Sequence, residues 1–170
     1  MKNILLLSIF LCSNYLLIAQ STYNEINQNS EMQNVLEFES KGASELYSFV
    51  NLWIADHYKN ANEVIDADIK NTKIVVNGIA PGVVKMMSAN AGNQDLNYRT
   101  TFDFKDNKIR ITYSNLKCPY AYSSYVYKKD GTVRTTKQAT FCKESTNGYL
   151  ISEIESIKES IEKSDQEEDW

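Results

Sequence analysis

The stretch "TTFDFKDNKIRIT", Thr100 to Thr112, decides the fold. With Asp106-Asn107 as a two-residue turn, Phe104 faces Ile109, Phe102 faces Ile111 and Thr100 faces Tyr113. On the other face Asp103 meets Arg110 and Thr101 meets Thr112. Apolar and polar residues thus sort to opposite sides in both strands at once, as an antiparallel sheet with one buried face requires. A slip of one residue would put both phenylalanines in water. The one cost is Lys105 opposite Lys108, which is mild beside a solvated turn.

Upstream, "VIDADIKNTKIVVNG" reads as a second hairpin. With Asn71-Thr72 at its turn, Lys70 faces Lys73, Ile69 faces Ile74 and Ala67 faces Val76. Between the two hairpins, "APGVVKMMSANAGNQD" has no steady period and reads as a long connection, with edge-strand character at Val83-Val84. Earlier still, "NVLEFES" alternates, with Leu36 and Phe38 on the buried side of a short strand. Ser40 is placed to cap the helix that follows, about Gly42 to Tyr58. Leu46, Phe49, Val50, Trp53 and His57 form one stripe on it, widened by Ile54.

Downstream, "KCPYAYSSYVYKKDG" (Lys117 to Gly131) carries four tyrosines: Tyr120, Tyr122, Tyr125 and Tyr127. Tyrosine favours strands, and Asp130-Gly131 suits a turn, so Tyr120 to Thr140 predicts a third hairpin. From Ser145 onward, Leu150, Ile154, Ile157 and Ile161 recur at helical spacing. Glu153 lies four residues before Ile157, and Glu155 and Glu159 take the outer face. The acidic end, residues 166–170, opposes the helix dipole and should fray. Strand, helix, four strands, an extra hairpin and a helix make a two-layer α+β domain: one antiparallel sheet, covered on one face by two helices. The other face is left to solvent or a partner.

The chain's 170 residues suit one such domain, residues 34–165. Residues 1–19 have the pattern of a secretory signal peptide: Lys2, the apolar run "ILLLSIFL", and cleavage after Ala19. The apolar stretch is too short and too interrupted for a permanent membrane span, which needs about 20 apolar residues. Lipid attachment at Cys12 is disfavoured because Leu11 is not the small residue such signals place there. The polar run 20–33 reads as a flexible leader. Removing residues 1–19 takes away one lysine and moves the net charge from −4 to −5, which argues against nucleic acid as a partner. The reading is therefore an exported protein, periplasmic or extracellular. Its two remaining cysteines, Cys118 and Cys142, are then expected to form a disulfide. That bridge would close a loop of 25 residues, worth about 3–3.5 kcal/mol.

"VLEFESKGASELYSFVNLWIADHY", "VIDADIKNTKIVVNG" and "YRTTFDFKDNKIRITYSN" together resemble the domain of unknown function 4468, a family typical of exported proteins of Bacteroidetes. The similarity spans roughly Val35 to Asn115. It implies a β-α-β4-α fold like that of the TATA-binding protein, and a compartment. It implies no reaction and no DNA binding, because fold does not carry function.

No chemistry stands out. His57, the only histidine, continues an apolar stripe and reads as a packing residue. A zinc site would need more than one His and two distant Cys. Asp66 and Asp68 share one strand face at i, i+2, where they could hold calcium or act as paired acids of a small hydrolase. A solvated strand face gives the same pattern. No phosphate-binding loop or nucleophile motif occurs, so no catalytic residue, metal or cofactor is assigned. The expectation is a non-catalytic module that binds or scaffolds an envelope protein or glycan. Its surface would be the open sheet face or Tyr120, Tyr122, Tyr125 and Tyr127, since exposed tyrosines can stack on sugars or anchor an interface.

Overall fold

The computed structural model describes residues 23–87, 92–118 and 120–167. The expected signal peptide, residues 1–19, lies outside them. In chain order the elements are β1 (Met32–Glu37), α1 (Ala43–His57), the single turn α2 (Ala61–Val64), β2 (Ile65–Ile69), β3 (Lys73–Val84), β4 (Gln94–Lys105) and β5 (Lys108–Cys118). Then come the two-residue β6 (Tyr120–Ala121), α3 (Tyr122–Val126) and the long α4 (Lys137–Glu167). The antiparallel sheet runs β1-β5-β4-β3-β2, with β6 folded back on β5. Leu46, Val50, Trp53 and Ile54 of α1 share one core with Leu150, Ile154, Ile157 and Ile161 of α4 and with Ile74, Phe102 and Ile111 of the sheet. Both long helices therefore cover the same face.

The β4–β5 hairpin has the expected register, from Lys105 opposite Lys108 to Thr100 opposite Tyr113. Its turn also starts the first helix. Asp106 Oδ1 accepts the Ala43 N–H at 3.0 Å, and Asn107 bonds to the backbone of Phe38 and Lys41. Ser40 is consequently not the cap; it takes a left-handed φ of 61° two residues before the Gly42 N-cap.

The β2–β3 hairpin differs from the expected register by one residue. Asn71 sits at φ 59° inside a three-residue turn, closed by the Thr72 N–H on the Ile69 carbonyl at 2.9 Å. Ile69 then faces Lys73 and is 55% exposed, while Asp68 takes the place opposite Ile74. A bulge between Ile65 and Ala67 restores the phase, and Ile65 meets Val76 on the core side. Both ends of the expected long connection are also strand. β3 continues through Val84, pairing Ala80 with Leu96, and Asp95 accepts the Gly82 N–H.

Three further expectations are corrected. The Tyr-rich segment is not a hairpin. In a strand Val126 and Tyr127 would face opposite ways, whereas the helical turn of α3 buries Tyr122 and Val126, and the Tyr127 N–H, bonded to the Ser123 carbonyl, continues the turn so that Tyr127 is buried as well. Among the described residues a single bridge, Tyr127 to Val133, spans the Asp130-Gly131 turn. The last helix starts at Lys137 rather than Ser145. Thr136 Oγ1 caps it through the Ala139 N–H, and Ala139, Cys142 and Thr146 extend the buried stripe. Finally, the polar leader is packed from Tyr23 onward. Ile26 lies in the core, its N–H bonds Asn147 Oδ1, its carbonyl accepts the Tyr127 hydroxyl, and Glu25 pairs with Lys143. The acidic end is helical as far as Glu167.

The sheet face away from the helices is charged and self-paired. Asp103 bridges Lys73 at 3.2 Å and Arg110 at 2.8 Å, and Asp66 meets Arg99 at 2.6 Å. Among the described residues no helix is long and apolar enough to cross a membrane.

Candidate functional site

The most concentrated polar chemistry in the fold lies between α4 and the sheet. Glu153 points inward from α4, and its side chain is 3% exposed. Its Oε1 accepts the Tyr98 hydroxyl and the Tyr149 hydroxyl, each at 2.5 Å. His57 Nε2, at the end of α1, stands 3.3 Å from the same oxygen. Tyr58 lies 3.3 Å from the Tyr98 oxygen. Each phenol has one proton, so the chain of donation runs Tyr58 to Tyr98 to Glu153, with Tyr149 as the second donor. Tyr113 is fully buried beside them, and its hydroxyl has no partner of ordinary geometry among the described residues.

These contacts hold the phenols protonated. Burial, then the Glu153 charge, pushes Tyr58, Tyr98, Tyr113 and Tyr149 well above the usual tyrosine range. Tyr98 reaches its position because Gly78 faces it across β3 and β4. A Cβ on Gly78 would stand 2.4 Å from Tyr98 Cζ, so the ring lies where a side chain would otherwise be. His57 stacks on Trp53 at 4.3 Å and 17°, and the Trp53 Nε1–H donates to Ser156 on α4. His57 is thus a packing residue, as expected, and also a polar partner of Glu153. The sequence did carry a signal for Glu153: it is an acid three residues after Leu150 and four before Ile157, inside an apolar stripe.

Outside this network a pocket of about 250 Å³ opens, lined by His57, Tyr58, Ile79, Pro81, Val83 and Tyr149 among others. Ile79 is 64% exposed at its edge.

The residues singled out from the sequence fare differently. Asp66 and Asp68 do not converge. The bulge at Ile65–Ala67 separates them, so that Asp66 pairs with Arg99 on the outer sheet face, while Asp68 accepts the Tyr47 hydroxyl of α1 at 2.8 Å. Tyr122 and Tyr127 are buried and Tyr125 is half-buried, so these three do not form an exposed aromatic surface. The side chain of Tyr120 lies outside the described ones. Cys118 and Cys142 are both buried with sulfurs 3.9 Å apart.

A family model described as a domain of unknown function (DUF4468) with TBP-like fold matches residues 33–118. Two solved structures share the architecture. One is a TBP-like protein from Parabacteroides distasonis, at 16% identity and a TM-score of 0.62, covering 80% of this chain and 94% of that one. The other is a DUF4468 family protein from Bacteroides ovatus, at 11% identity and a TM-score of 0.63, covering 82% and 90%. No curated protein matches the chain.

Proposed function

We propose a function from the premise that this chain belongs to the DUF4468 family with its TBP-like fold: it is an exported, non-catalytic module that binds or scaffolds a protein at the cell envelope. The observation that carries this reading is the pocket beside Glu153. The hydroxyls converging on the carboxylate are engaged within the fold, so the network serves as a fixed floor. What faces outward is an apolar and aromatic rim at Ile79, Pro81, Val83 and Tyr58. A glycan reading through Tyr122 and Tyr127 lacks exposed rings, and a hydrolase reading through Asp66 and Asp68 lacks convergence. The test compares the chain from Gln20 with its Ile79→Asp variant in pull-down from the envelope fraction. Ile79→Asp should weaken retention of the partner at least about tenfold, ~1.4 kcal/mol, with the fold intact. Equal retention by both would refute the pocket as the contact.

Export also gives the cysteine pair its chemistry. Cys118 and Cys142 would lose two protons and two electrons, passed by thiol–disulfide exchange to a disulfide-donor protein. Side-chain rotation must bring the sulfurs from 3.9 Å to a bond length of about 2.05 Å. Because both sulfurs are buried, the exchange belongs to folding, before α3 and α4 close. Protein recovered from the exported fraction and denatured without reductant should then show no free thiol. Replacing both cysteines by alanine should cost about 3 kcal/mol. Two labelled thiols would remove the bridge from the account.

A further inference from the structure

We propose that the segment inserted between β5 and α4 forms a binding site for a phosphate- or sulfate-type oxyanion, separate from the pocket beside Glu153. A groove of about 550 Å³ lies there, with Lys128, Lys129 and Arg134 in its wall beside Gln28, Asn29 and Ser123. Three cations in one groove run against the chain's net charge of −4.

The one acid among the lining residues, Asp130, is turned to its own loop. The Thr132 hydroxyl and N–H donate to its Oδ1 at 2.7 and 2.9 Å. Those bonds hold its carboxyl below the usual range, so it stays an anion and cancels one of the three positive charges. The groove is also built on a fixed frame. The Lys128 N–H bonds the Thr132 carbonyl and the Arg134 N–H bonds the Val126 carbonyl, both at 2.8 Å. This pairing places Lys128 opposite Thr132 and Arg134 opposite Val126, so the two cations flank the Tyr127–Val133 bridge on one side of the turn. Arg134 Nε donates to the Tyr127 carbonyl at 3.0 Å, which roots the guanidinium and uses one of its five donors. Gly131, at φ +81°, admits Gln28 where a Cβ would meet its Oε1 at 2.3 Å. Two ammonium groups and one anchored fork suit a single tetrahedral oxyanion. They do not make the long basic stripe that a nucleic acid backbone needs.

The oxyanion's source is either a free phosphate or a lipid headgroup, and the experiment has an arm for each. The chain from Gln20 is titrated with inorganic pyrophosphate by calorimetry, and sedimented with phosphatidylglycerol or phosphatidylcholine vesicles, at ~0.15 M salt. Lys128→Glu/Lys129→Glu is compared with Lys70→Glu/Lys105→Glu, which makes the same charge change at the sheet turns. Arg134→Gln serves as a milder groove variant should the double variant misfold. The wild type and the sheet-turn control should bind, and the groove variants should bind at least about tenfold less tightly, ~1.4 kcal/mol. Response to pyrophosphate assigns a free phosphate, and response to the anionic vesicles alone assigns a headgroup; either supports the site. Binding of neither probe by the wild type, or an equal loss in the control, overturns it. Neither result bears on the Ile79 pocket.

Discussion

Raised in base, the protein is expected to keep its fold to about pH 10 and then to unfold within a narrow range. Burial first holds the native Tyr58, Tyr98, Tyr113 and Tyr122 phenols above their free range. For Tyr58, Tyr98 and Tyr113 the Glu153 charge comes second. In the unfolded chain the same groups ionise near 10. Below that value both states are protonated and the tyrosines contribute their full stability. Above it the unfolded state releases protons that the native state retains, so stability falls as pH rises. The slope is about 1.4 kcal/mol per pH unit for each such tyrosine, on the order of 5 kcal/mol per unit for four. Against a typical total of about 5–15 kcal/mol, the fold should be lost within roughly one to three units. Tyrosinate absorbance and far-ultraviolet circular dichroism should change together. A smooth rise in tyrosinate near pH 10 with the fold still present would show that the buried phenols titrate freely.

Replacing Glu153 by leucine should destabilise the protein by about 3–5 kcal/mol. The substitution keeps the volume apolar and removes the one acceptor that the Tyr98 and Tyr149 hydroxyls share. A hydrogen bond to a charged group is worth about 1.5–3 kcal/mol, and two are lost. Glu153→Gln should cost less, because an amide oxygen can still accept. The sharper test is a double-mutant cycle with Tyr98→Phe in urea. Removing donor and acceptor together should recover more than about 1 kcal/mol relative to the sum of the two single changes. Additivity within about 0.5 kcal/mol would mean that the contact does not hold the helix to the sheet.

The parts of the fold legible in the sequence are those where local pattern and tertiary burial agree. Phe102, Phe104, Ile109 and Ile111 could be paired on paper because a slip exposes all of them. The α1 stripe and the shared helical face follow from the same logic. The β2 register was not legible, because Asn71 accepts a left-handed backbone and the bulge then corrects the phase. Strand preference misled at Tyr122, where contacts with the rest of the core outweigh an effect spanning about 1 kcal/mol. Within α4 the Asn147 side chain accepts from the Ile26 N–H rather than turning to its own backbone, a long-range contact that local pattern does not show. The candidate site was the least readable part. Its members come from the end of α1, β4, β5 and α4, and only Glu153 inside an apolar stripe hinted at it.

The missing side chain at position 78 ties three distant parts of the chain to a common fate. Any residue larger than glycine there demands something smaller than tyrosine at position 98. That change would silence one of the two phenols on which the acid at 153 relies. Across drifting descendants of this gene, positions 78, 98 and 153 should be inherited as a set, with glycine, tyrosine and glutamate arriving or departing together.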